Sequence, residues 1–196
     1  MGLTISKENI AELPTETFNG TIVVVEHEDD VAKATAYLSM QSVLGFDTET
    51  RPTFKPGETN KVALIQLSTE NTCFLFRLNK IGYPAALENI LCNPKIKKIG
   101  LSLRDDFAKI QGRSEKKPEN FIDLQVFADK FGIDDNSLQR IYAIIFGKKI
   151  TKNQRTSNWE TPILSKAQQT YAAIDAWACL RIYNHLINGG HINETI

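Results

Sequence analysis

Histidine, cysteine and long apolar runs are all scarce in this chain, and each scarcity removes a class of function. The three histidines, His27, His185 and His191, stand remote from any nucleophile pattern, so a Ser-His-Asp hydrolase has no support. Cys73, Cys92 and Cys179 are odd in number, widely spaced and set among apolar residues. They read as reduced core thiols rather than a disulfide framework, and a cytoplasmic location is expected from them. No apolar run approaches the ~20 residues needed to cross a bilayer, so no membrane association is expected. The opening Met1–Glu8 lacks a basic region followed by an apolar one, and no secretory signal is expected there.

The chain also lacks a net charge, but its charges are unevenly spread. Residues 1–30 hold seven acids (Glu8, Glu12, Glu16, Glu26, Glu28, Asp29, Asp30) against Lys7 alone. The other 166 residues carry 22 bases against 16 acids, a net of +6. Basic clusters fall at Lys95–Lys98, Arg113–Lys117 and Lys148–Arg155, the last without an acid. With 42% hydrophobic and 23% charged residues, 196 positions suit one soluble globular domain over 1–196. Residues 1–20 would extend it, and its chemistry would lie within 43–183.

The pattern of residues predicts the elements. Ser6 caps a short helix ending before Pro14. Thr21–Val25 reads as a strand and Asp29–Met40 as an amphipathic helix. Val43–Thr48 is a strand, Arg51–Asn60 a loop, and Val62–Ser68 with Thr72–Arg77 a β-hairpin. Pro84–Leu91 reads as helix, Lys95–Leu101 as a short strand and Arg104–Gln111 as helix. Asn120–Asp123 leads into a helix to Phe131, Asn136–Phe146 is another, and Gly147–Trp159 is a polar, basic connection. Ser165-Lys-Ala-Gln168 has capping-box spacing and opens a long helix to about Asn188, closed by Gly189-Gly190. Strands mixed with helices early and helices late suggest an α/β layer fold around a mixed sheet, without repeats.

Two acids end the first long apolar run. In Val43-Leu-Gly-Phe-Asp-Thr-Glu-Thr50, Asp47 and Glu49 stand two apart and so project to the same face of a strand. Converging carboxylates repel unless a cation lies between them, and hard divalent ions choose such oxygens. A strand running out into a solvated turn is the plainer reading of this stretch alone. On the last helix, Tyr171 and Asp175 are spaced i, i+4 and share a face. Asp175 sits mid-helix among alanines, where it has no capping role, although a salt bridge to a neighbouring strand would also explain it. Asp105 and Asp106 follow the strand at Lys95–Leu101, where an N-cap accounts for one and leaves the other over.

Together, Asp47, Glu49, Asp106, Tyr171 and Asp175 resemble the DEDDy family of 3′–5′ exonucleases. Phe46-Asp-Thr-Glu49 with Lys61–Leu67 is similar to its first motif, and Ile99–Ile110 to its second. Ser157-Asn-Trp159 with Tyr171-Ala-Ala-Ile-Asp175-Ala is similar to its third. Three blocks in order are far more specific than one Asp-x-Glu. In the second motif the family's aspartate falls on Asp106, which leaves Asp105 a surface or capping residue. In the third, a histidine variant of the family has its histidine where this chain has Thr170, while Tyr171 marks the tyrosine branch. Within the family the likeness to the Werner-syndrome exonuclease domain exceeds that to RNase D.

The resemblance implies a ribonuclease H-like fold, a mixed β-sheet flanked by α-helices with the acids at one edge. It implies two divalent metal ions, Mg²⁺ or Mn²⁺, held by Asp47, Glu49, Asp106 and Asp175. Asp47 would bridge them, Glu49 and Asp175 would complete the site of the attacking water, and Asp106 would hold the second ion through water. The Tyr171 hydroxyl would orient that water. The implied activity is removal of 5′-mononucleotides from nucleic-acid 3′ ends, with DNA favoured over RNA. RNase D-like trimming of RNA 3′ ends and an inactive nucleic-acid-binding module are the alternatives. A helicase or repair protein is the partner class to expect, since no helicase segment lies in 1–196. For the nucleic acid we expect Thr48, Phe107, Lys148, Lys149, Lys152 and Arg155, the four cations contacting phosphates. A solvated loop remains open for the cations. Phe54 and Phe107 flank the acids, with base stacking and core packing both open. Trp177 and Tyr183 read as core.

Overall fold

The computed structural model describes residues 2–53, 60–113, 116–190 and 192. Ser6 caps α1 (Lys7–Glu12), its hydroxyl oxygen accepting the Asn9 amide at 3.1 Å. After β1 (Thr21–Val25), α2 (Glu28–Ser39) opens with Glu28, Asp29 and Asp30, acids that suit the positive end of a helix. β2 (Val43–Thr50) carries the strand to Thr50, two residues past its expected end. β3 (Val62–Ser68) and β4 (Thr72–Arg77) form the expected hairpin, its turn closed by Thr69 N–H donating to Thr72 O at 2.8 Å. There follow α3 (Leu78–Ile81), α4 (Ala85–Leu91), β5 (Lys97–Gly100), α5 (Leu103–Gln111), β6 (Phe121–Asp123) and α6 (Leu124–Asp129). Last come α7 (Leu138–Phe146) and α8 (Lys166–Ile187).

One six-stranded mixed sheet, in the order β1-β4-β3-β2-β5-β6, organises these elements. β1 and β4 are parallel, β4-β3 and β3-β2 antiparallel, and β2-β5 and β5-β6 parallel. All seven residues of β3 are buried, as both faces of the sheet are covered. One face packs on α8 and α7 through residues such as Leu64, Leu75, Ile141 and Ala172. The other packs on α2, α4 and α5 through Leu44, Phe46, Leu38, Leu91 and Ile110.

Gly45 sets the height of the last helix over the sheet. A Cβ there would stand 1.9 Å from the Ala176 carbonyl oxygen, so the α8 backbone lies directly on β2. Gly45 therefore marks the α8 face of β2, and Asp47 and Glu49 follow it on that face at the strand period. The predicted capping box fixes the start of α8: Ser165 Oγ accepts the Gln168 amide at 3.2 Å, and Gln168 Oε1 accepts the Ser165 amide at 3.0 Å.

Two expectations need correction. β6 was read as a lead-in to a helix, because three residues behind Asn120 at φ 54° are too few to show a strand period. Asp105 and Asp106 do not cap α5. The cap position is Ser102, in the left-handed region at φ 59°. The amides of Ser102 and Leu103 are taken instead by Asp123 from the end of β6, each at 3.0 Å. Asp123 also accepts the Gln125 amide at 3.0 Å, so one carboxylate serves two helix starts.

Candidate active site

Asp47 and Glu49 from β2 meet Asp175 from α8 at one edge of the sheet. One carboxylate oxygen of each lies within 4.8 Å of the others. Asp106, on the first turn of α5, stands outside that group but close enough for its charge to act on Asp47 and Glu49. Its orientation is fixed by Thr48, whose hydroxyl donates to Asp106 Oδ1. Thr48 alternates with the two acids along β2 and so points to the opposite face, toward α5. The Tyr171 hydroxyl, one turn before Asp175, is placed to donate to the Asp175 carboxylate.

The electrostatics are those of acids crowded away from water. Burial, reinforced by Asp175, Glu49 and Asp106, holds the Asp47 carboxyl well above the usual range. Burial and the charges of Asp175 and Asp106 push Glu49 up to about 9, with Lys109 opposing. Asp175 is pushed up to about 7 by burial, against the Tyr171 hydrogen bond and the Lys152 charge. Asp106 is also raised by burial, offset by Thr48 and Lys109. Burial and then the charges of Asp175, Glu49 and Asp47 drive the Tyr171 phenol above its ordinary value, so it keeps its proton at neutral pH. An all-oxygen donor set whose members resist ionising together fits one or more hard divalent cations.

The third motif puts Trp159 with Tyr171, but how the loop carrying it is held was not legible in the sequence. Trp159 is wholly buried and lies 6.0 Å from the Tyr171 ring, centroid to centroid. The loop carrying Trp159 is held from two sides. Gln168 Nε2 donates to Asn158 O at 3.2 Å. Arg77, fully buried at the end of β4, donates to Pro162 O at 2.9 Å, to Thr161 O, and to Glu26 at 2.8 Å. Arg77 ends an apolar strand, and a basic residue at a strand end reads as solvated unless its distant partners are known.

The basic connection divides in two. Lys152 and Arg155 line a hollow of about 230 Å³ with Tyr171, Asp175, Gln125 and Ser102. Lys148 and Lys149 do not line it, although Lys149 lines a second hollow together with Lys152 and Arg155. Lys148 pairs with Glu16 at 3.1 Å, and Lys149 donates through Nζ to Ala11 O. The backbone of Lys149 also exchanges hydrogen bonds with Pro14 O and the Glu16 amide, at 2.9 and 2.8 Å. The acid-rich start of the chain therefore occupies half of the basic segment. Glu16 also accepts from Tyr142 at 2.8 Å and Arg181 at 2.7 Å, which makes the tether firm. Phe107 is half-buried and packs edge-on against Phe121 at 4.9 Å, at the border of the layer beneath α5. Phe54 lies outside the described residues. Tyr183 is buried, and Trp177 is half-buried with its indole N–H donating to Glu70 O at 3.1 Å.

A six-stranded mixed sheet flanked by helices, with acids from its central strand and last helix gathered at one edge, defines a ribonuclease H-like exonuclease fold. The chain belongs to the 3′–5′ exonuclease family, whose model matches residues 22–189. It is 35% identical over 188 residues to the mouse bifunctional 3′–5′ exonuclease/ATP-dependent helicase WRN. That match covers 91% of this chain and only 13% of the mouse protein. Among solved structures, the EXO domain of Aedes aegypti Nibbler superposes with a TM-score of 0.78 at 24% identity, covering 89% of this chain and 92% of that one. Escherichia coli RNase D, an exoribonuclease involved in structured RNA processing, gives 0.75 at 22%, covering 87% and 44%.

Proposed function

We propose that this chain is a metal-dependent 3′–5′ exonuclease that hydrolyses phosphodiester bonds at DNA 3′ ends and releases 5′-mononucleotides. The observation that carries the reading is the meeting of Asp47, Glu49 and Asp175 within 4.8 Å, beside Tyr171, in a member of this family. Asp47, Glu49 and Asp175 would hold divalent cations, Mg²⁺ or Mn²⁺, with Asp106 serving a second one. Two such ions, when bound, supply Lewis-acid charge at both ends of an in-line displacement. The Tyr171 hydroxyl, kept protonated by its surroundings, orients the attacking water. Lys152 and Arg155 in the adjoining hollow contact the backbone phosphates of the 3′-terminal nucleotides. DNA is favoured because the 35% identity lies with the mouse WRN protein, whereas the likeness to RNase D, at 22%, carries the fold alone. RNA 3′-end trimming is the second reading. A helicase or repair protein is the partner class that would present such ends, and the three free cysteines support a cytoplasmic setting.

The test is purified protein with Mg²⁺ or Mn²⁺ against matched 3′-recessed DNA, single-stranded DNA and RNA. Nucleoside 5′-monophosphates should leave from the 3′ end and EDTA should abolish the reaction. Full activity in EDTA, or shortening from the 5′ end, overturns the assignment, and a preference for RNA selects the second reading.

The split of the basic segment sharpens a second expectation. Replacing Lys152 and Arg155 with Ala should weaken single-stranded DNA binding and lower its log-log salt slope by about 1.4, at ~0.7 per lost phosphate contact. Replacing Lys148 and Lys149 should leave the slope unchanged, because both are tied to the N-terminal segment. Binding measured between 50 and 200 mM salt separates the pairs, and a slope unchanged from wild type in the Lys152 and Arg155 variant would place those two residues in solvent.

A further inference from the structure

Five buried side-chain nitrogens and oxygens among the described residues lack a hydrogen-bond partner, and two of them are the nitrogen and oxygen of the Gln66 amide. The others are Arg77 Nε, Arg113 Nε and Trp159 Nε1, and the Arg77 guanidinium bonds through both its other nitrogens and that of Arg113 through Nη2. Gln66 is fully buried, and its amide is idle at both ends, so the assignment of O and N does not matter. Such burial opposes folding. Nothing in β3 demands it, as Val62, Ala63, Leu64, Ile65 and Leu67 are apolar. A polar group kept where an apolar one would be more stable marks a residue retained for another reason.

Its position supplies the reason. In the antiparallel pairing of β2 and β3, Gln66 stands directly opposite Asp47. Paired residues project to the same face with Cβ atoms about 4.5–5.5 Å apart, well within the reach of a glutamine. That face is the one covered by α8, where Gly45 admits the helix backbone. The amide thus lies beside a carboxylate whose oxygens have lone pairs to spare. Carboxylates that ligate a cation are commonly hydrogen-bonded from behind, which fixes their orientation.

We propose that Gln66 is a positioning residue for Asp47, its amide donating to the Asp47 carboxylate when divalent cation is bound. This rests on the metal-dependent reading above. Gln66→Met keeps the length and shape of the side chain and removes both polar atoms. The full chain is titrated with Mn²⁺ in the absence of nucleic acid, and its melting temperature is measured in EDTA. The expected result is opposed changes. The variant binds Mn²⁺ about 10–100-fold more weakly, yet melts in EDTA at or above wild type because an unpaired buried amide is gone. A Mn²⁺ affinity equal to wild type overturns the inference and leaves the metal reading standing. A lower melting temperature in EDTA, or failure to fold, makes Gln66 a structural residue and also overturns it. If wild type itself binds no Mn²⁺, the metal reading falls and the role of Gln66 falls with it.

Discussion

Tyr171→Phe should lower kcat by roughly 10²–10⁴ while leaving KM and Mn²⁺ affinity near those of wild type. That range is what a positioned proton-handling group contributes, equivalent to about 2.7–5.4 kcal/mol of barrier. The substitution removes one oxygen and no ring. Tyr171 is 7% exposed, and its ring packs against Trp159 on a helix fixed by a capping box, so the phenylalanine keeps the fold. What it loses is the hydroxyl beside Asp175. In the metal-free protein burial and then the charges of three carboxylates keep that hydroxyl protonated at neutral pH, so that with its proton directed at Asp175 its oxygen accepts from the water and orients it. Steady-state kinetics on single-stranded DNA, with Mn²⁺ titrated separately, check this. A raised KM with kcat unchanged would make Tyr171 a binding residue instead.

The parts of the site legible in the sequence were those that local rules govern. The strand period places Asp47 and Glu49 together, the helix period places Tyr171 near Asp175, and Ser165 with Gln168 announces the helix that carries them. The meeting of β2 with α8 is a long-range fact. Gly45 allows it, but a glycine in a strand does not say which backbone will approach it. Pairing across sequence distance also hid what surrounds the acids. Asp123 caps α5 from a neighbouring strand 20 residues away. Arg77 reaches carbonyls more than 80 residues on. The acidic N-terminal stretch was visible as a charge imbalance, but its partner was not, so Lys148 and Lys149 read as free cations until Glu16 was seen between Tyr142, Arg181 and Lys148. Gln66 is one polar residue in an apolar strand, and only the register with β2 gives it a neighbour.

Asp47→Asn should abolish cleavage and, in EDTA, make the protein more stable. Asp47 feels Asp175, Glu49 and Asp106 together, so its replacement removes more repulsion than any exposed acid would. Each like-charged pair at ~4 Å opposes folding by about 1 kcal/mol even in bulk water, and by more where water is excluded. At roughly 2–4 °C per kcal/mol for a chain of this size, relief of two or three pairs is a rise of several degrees at pH 8–9. The effect depends on pH with a definite sign. Glu49 and Asp175, raised to about 9 and about 7 from ordinary values of 4.5 and 3.8, hold protons in the folded protein that the unfolded chain releases. Their contribution is fully present below about pH 4 and is lost as the pH climbs through 7 and then 9, so wild type in EDTA should melt progressively lower across that window. With the Asp47 charge gone, the remaining acids ionise at lower pH, and the gap between variant and wild type should widen from pH 5 to pH 9. Mn²⁺ should reverse the order. Ligand bound to the folded state alone stabilises it by about 2.7 kcal/mol at a hundredfold excess over Kd, and the variant, missing a carboxylate at the centre of the cluster, should gain little. Cleavage should fall at least about 10³-fold, as expected when several kcal/mol of charge stabilisation are withdrawn. Melting curves of both proteins from pH 5 to 9, with EDTA and with Mn²⁺, test the whole chain of reasoning. An Asn variant that melts below wild type in EDTA at pH 8 and still gains the full Mn²⁺ shift would remove Asp47 from the centre of the site.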